Sequence, residues 1–176
     1  MGKTIHKVIG QPSLEVLIQD YFEWRSKISE IEKFAQLISN KSLRNTKLVI
    51  PAFLLKAQVL EFKLKQAITV IDLELHLYLR KQGSDFKTNV RFYDNFSKMT
   101  LGPVIDAIKA YSPMFKKGFS VKLTKILKCR NKLTHNLLDA ETSLKNIHAM
   151  ATTGIDDIDH VVTELDRVMR GIKNQK

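Results

Sequence analysis

Arg130 and His135, five residues apart in the string Cys129-Arg130-Asn131-Lys132-Leu133-Thr134-His135-Asn136, carry the clearest chemical signal in this chain. An imidazole has an ordinary pKa of about 6.5, so it exchanges protons near neutrality. Arginine keeps its proton there, and its planar fork of donors matches two phosphate oxygens. Asn131 is suited to orienting the imidazole or holding an anion. On a helix advancing about 100° per residue, Leu123, Ile126, Leu127, Leu133 and Leu137 form one apolar stripe with Arg130 near its middle. His135 falls about 140° away from Arg130, one turn above Asn131, so Arg130, Asn131, Thr134 and His135 border the apolar face. A charge buried in that stripe needs a partner, because leaving it unpaired costs roughly several kcal/mol. Glu61, Asp72 and Glu74 are the candidate acids, and a second subunit is the other polar surface available. Read from residue types alone, the band is either reactive or a core arginine with an acid partner beside a surface histidine.

Five helices are expected to position that band. Periodic apolar residues predict an amphipathic helix over 13–39, with Ile28, Ile31, Phe34, Leu37 and Ile38 in its apolar stripe, a long and mostly apolar central helix over 51–82, and a short helix over 101–111 with Thr100 as cap and Pro103 in its first turn. The candidate residues lie on a helix over 119–139. A last helix over 141–172 includes Gly154 as a site of kinking and an acidic row of Asp156, Asp157, Asp159, Glu164 and Asp166, read as a solvent face or a dock for a partner's basic region. Lys122, Lys125, Lys128 and Lys132 fall opposite the apolar stripe of the fourth helix, a row suited to phosphates. A loop over 40–46 holds a small basic cluster, Lys41, Arg44 and Lys47. Phe92, Tyr93 and Phe96, in a connector over 86–99, alternate with basic and polar residues in a mixture suited to single-stranded nucleic acid.

The string RNKLTH resembles the Arg-x4-His signature of HEPN domains, in which a polar residue, often asparagine, follows the arginine. The resemblance covers most of the chain: a long apolar helix containing VLEFKLKQAI, a TLGPVIDAI segment, the signature helix, and one more helix. It implies an all-α, up-and-down bundle and a metal-independent endoribonuclease of toxin or anti-phage type. Such enzymes work as homodimers with a composite cleft. Only three residues carry over on the motif: Arg130 on the scissile phosphate, His135 in proton transfer, and Asn131 in support. Lys125, Lys128 and Lys132 are the accompanying candidates for holding substrate. RNA is the expected partner, together with a second copy and a cognate antitoxin protein; no cofactor is expected. The alternative is a non-catalytic HEPN-like module that binds nucleic acid or another protein.

Length and composition set the frame. A chain of 176 residues, 44% hydrophobic, suits one domain spanning 1–176. The formal charge of +11 favours an anionic partner. One cysteine, Cys129, excludes an internal disulfide framework and a CxxC zinc site, and suits the cytoplasm. No signal peptide or membrane span is read, so no membrane partner is expected. The five histidines, His6, His76, His135, His148 and His160, include no pair at helical i,i+4 spacing and no HExxH, so no metal site is expected.

Overall fold

The computed structural model describes residues 14–82, 99–135 and 143–173. Over these the chain is all-α: α1 (Leu14–Ser42), α2 (Val49–Lys81), α3 (Leu101–Lys109), α4 (Phe119–His135) and α5 (Leu144–Lys173), with 3-10 turns at Thr46–Leu48 and Ser112–Met114. The connector carrying Phe92, Tyr93 and Phe96, and the continuation of α4 to Asp139, lie outside the described residues.

Local chemistry explains several boundaries. α1 runs to Ser42, beyond the expected loop start, and the Ser42 hydroxyl donates to the Ser39 carbonyl within its last turn. The Asn45 side chain then accepts from the Lys47 N–H and caps the first 3-10 turn. Thr100 stands at the N-cap of α3 with extended backbone, but its hydroxyl makes no capping bond. Gly118 precedes α4 at φ 96, a left-handed turn that a residue with a Cβ adopts only with strain.

Helix direction follows from cross-helix contacts. Lys63 of α2 pairs with Glu32 of α1, consistent with two helices joined antiparallel by a short corner. Lys56 meets Asp159 and Lys63 meets Asp166, so α2 and α5 run parallel, with matching steps of seven residues. Cys129 donates to the Met150 carbonyl, Lys122 pairs with Asp157, and the Lys116 N–H donates to Glu164, so α4 runs antiparallel to α5. Gly102 lies against Leu127, which puts the start of α3 level with the second half of α4, while Tyr111 beyond its far end donates to Asp72. The C-terminal ends of α1 and α4 therefore share one end of the bundle with the N-terminal ends of α2, α3 and α5.

The core is built on α2, which packs against every other α-helix and contributes the fully buried Phe53, Leu60, Leu64 and Ile68. It is less apolar than its pattern implies, because Lys56, Lys65 and Asp72 are also buried. Each has a polar partner. Lys56 donates to both Asp159 oxygens at 2.6 and 2.7 Å, Lys65 meets Glu61 at 2.8 Å, and Asp72 accepts from Tyr111. These partners offset the cost of removing charge from water. α1 is turned differently from its expected stripe. It buries Ile28, Ala35, Ser39 and Ser42, small residues that permit a close approach, and leaves Phe34 and Leu37 half-exposed. The acidic row of α5 is no free solvent face: Asp157, Asp159, Glu164 and Asp166 each hold a cation of the fold.

Glu164 supplies a pH dependence. Hydrogen bonds from Arg167 hold its carboxyl down at about 2, from an ordinary 4.5, with a further bond from the Lys116 N–H. A carboxyl depressed in the folded state stabilises the fold above its unfolded pKa, and that contribution is lost as pH falls through the folded value. Glu164→Gln is expected to lower the melting temperature at pH 6 and to lose that difference as pH falls from about 4.5 towards 2. Thermal melts of both proteins across that range check it.

Candidate functional site

The signature string occupies the last two described turns of α4, up to His135. Its inner residues explain why it is helical and how it is held: Phe119, Leu123, Ile126, Cys129 and Leu133 are buried at i, i+3, i+4 spacing against the core. Arg130, beside that stripe, is half-buried, and Asn131 and His135 are exposed. The Thr134 hydroxyl turns back to the carbonyls of Arg130 and Asn131, at 2.9 and 3.3 Å. Among the described residues neither the Arg130 guanidinium nor the His135 imidazole has a hydrogen-bond or ion-pair partner, and neither Glu61 nor Asp72 is seen to reach Arg130.

The two reactive candidates share the end of one helix but not one face of it. Helix geometry separates their directions by about 140°. His135 lies instead on the exposed face of Lys128, Asn131 and Lys132, spaced i−7, i−4 and i−3 from it. Lys125, Lys128 and Lys132 are all exposed and without an acid partner among the described residues. Lys122 departs from the expected row, since Asp157 holds its ammonium at 3.2 Å.

Two concavities flank α4. A cleft of about 360 Å³ between α4 and α5 is lined by Lys125, Cys129, Met150, Thr153 and Asp157. A groove of about 460 Å³ opens nearer the far end of α4, between Lys116, Lys117, Phe119 and His160. Burial, followed by the charge of Asp157, pushes the Cys129 thiol up to about 11. Reaction needs the thiolate, so the native protein is expected to resist iodoacetamide at pH 7.5 and to react fully in denaturant, as mass spectrometry would show.

The corner between α1 and α2 gains significance from its position. Lys41, Arg44 and Lys47 are exposed there, at the same end of the bundle as the C-terminus of α4. A sequence signal for this was present in the acid-free runs 33–60 and 107–138, but only the helix directions bring the two together. Among the described residues no three His, Cys, Asp or Glu side chains group to hold a metal ion, and no helix is long and apolar enough to cross a membrane. The class of the chain is all-α. No protein-family model matches it, and no curated protein or solved structure does.

Proposed function

We propose that the chain is a metal-independent endoribonuclease of HEPN type, acting as a homodimer in a toxin or phage-defence setting with a cognate antitoxin. Carrying this reading is the placement of RNKLTH at an exposed helix end, with His135 accessible and Arg130 unpaired among the described residues. In the reaction the 2′-oxygen loses its proton, attacks phosphorus and forms a cyclic phosphate, while the departing 5′-oxygen receives a proton. His135 takes the 2′ proton and returns a proton to the departing 5′-oxygen, working with Arg130 of the other copy. Arg130 bears the charge that builds on the phosphate oxygens, Asn131 supports the histidine or the phosphate, and Lys125, Lys128 and Lys132 hold the backbone. Symmetry is needed because one helix directs its arginine and histidine to different sides.

The test is incubation of purified protein with a mixed RNA pool in EDTA. Cleavage that disappears in His135→Ala, with helicity retained, supports the reading; an intact pool, or a His135→Ala protein that still cuts, overturns it. The divergence of the two side chains also favours a second reading, a non-catalytic HEPN-like module that binds RNA or a protein. Salt-sensitive RNA binding without product identifies the RNA-binding form.

A further inference from the structure

We infer that RNA docks across the end of the bundle where α1 and α2 meet, with Lys41, Arg44 and Lys47 as a phosphate-binding site remote from the signature string. The inference takes its partner from the RNA reading above, but the docking it describes does not require cleavage.

It rests on how charge is distributed along the bundle. The pairings Glu32–Lys63, Lys56–Asp159 and Lys122–Asp157 set the levels of the helices, and all described acids lie at these levels or towards the other end. At the near end, residues 33–60, 99–105, 123–135 and 143–155 contain no Asp or Glu. The described cations there are Lys33 of α1, Lys41, Arg44 and Lys47 of the corner, Lys125, Lys128, Arg130 and Lys132 of α4, Lys145 of α5, and the buried Lys56. Only Lys56 has an acid partner among the described residues. The linking residues 136–142, which include Asp139 and Glu141, lie outside the described residues.

Towards the opposite end acids accompany the cations. Lys109 pairs with Asp106, Arg167 pairs with Glu164, and Glu164 also receives the Lys116 N–H. Among the described residues, one end thus carries cations and no acids, while acids and cations are mixed over the remainder. An uncancelled cation cluster attracts a polyanion and gains from counterion release. The corner and α4 are separate surfaces at this end, because α1 packs on α2 whereas α4 packs mainly on α5. A strand contacting both must cross the end of the bundle, so a substrate of several nucleotides is required for full affinity.

The experiment measures binding of an end-labelled 20-nucleotide single-stranded RNA by fluorescence anisotropy at 50–300 mM salt. Lys41→Ala/Arg44→Ala is compared with Lys116→Ala/Lys117→Ala, a pair of exposed cations at the opposite end. Losing two phosphate contacts is expected to weaken binding roughly 25-fold at 0.1 M salt and to reduce the slope of log K against log salt by about 1.4, while the far-end variant stays near wild type. Wild-type affinity in the corner variant, equal losses in both variants, or no RNA binding at low salt overturns the inference. Corner-dependent binding with no cleavage upholds the docking site and overturns the nuclease reading alone. Circular dichroism confirms that each variant is folded.

Discussion

Replacing Gly154 by alanine is expected to destabilise the fold by about 1–3 kcal/mol, the usual cost of forcing a methyl group into a packed core. A Cβ at this position would stand 2.5 Å from Cε2 and 2.8 Å from Cδ2 of Phe53, and 3.3 Å from the Cys129 sulfur. The Phe53 ring is fully buried and has little room to withdraw. Side chains of α2 and α4 both meet α5 at this position, so strain there spreads to three helices. For a protein of this size the change corresponds to a fall in melting temperature of roughly 2–12 °C. Phe53→Leu, combined with Gly154→Ala, is expected to recover part of the loss by making space. An alanine variant as stable as wild type, measured by thermal or urea unfolding, would mean that the ring relaxes freely and that Gly154 is not the contact that sets helix spacing.

The second large effect concerns catalysis. His135→Ala is expected to lower RNA cleavage by about 10²–10⁴-fold, the usual worth of positioned acid–base catalysis. Arg130→Lys is expected to leave most of the defect of Arg130→Ala in place, because an ammonium does not reproduce a planar fork. A subunit-mixing experiment separates a composite cleft from a site within one chain. If Arg130 of one copy works with His135 of the other, equal mixing and re-annealing of Arg130→Ala and His135→Ala proteins restores about a quarter of wild-type activity. Half of the dimers are then mixed, each with one complete site. Activity that stays at the level of the separate variants would place both groups in a single chain, against the divergence that α4 imposes.

Much of the fold was legible because periodic apolar residues report which face of a helix is buried. All five helices of the described residues fall within a few residues of the patterned segments, and α4 starts at Phe119 as expected. Pattern could not say which charges pair across helices. The α5 acids read as a solvent face because each is polar in sequence, yet their partners Lys56, Lys63 and Lys122 come from elsewhere in the chain. Gly154 read as a kink for the same reason. A helical glycine is unexplained locally, and its cause is a phenylalanine 101 positions earlier. Phe34 and Leu37 misled because apolar character was taken for inward orientation, whereas α1 buries alanine and serine. The signature residues themselves were found by resemblance. Their exposure, and the divergence of Arg130 from His135, follow from the stripe that buries Leu123, Ile126 and Leu133.

The parallel pairing of α2 with α5 bears on how the chain is made. Lys56 and Asp159 are 103 positions apart, so the ammonium enters its buried setting only after the ribosome has released the segment bearing its counter-charge. Until residues 144–173 have emerged, Phe53 and its neighbours lack one wall of their enclosure and the nascent helices stay open to chaperones and proteases. Emergence of residues 144–173 is thereby coupled to assembly of the whole bundle, including the helix that bears Arg130 and His135.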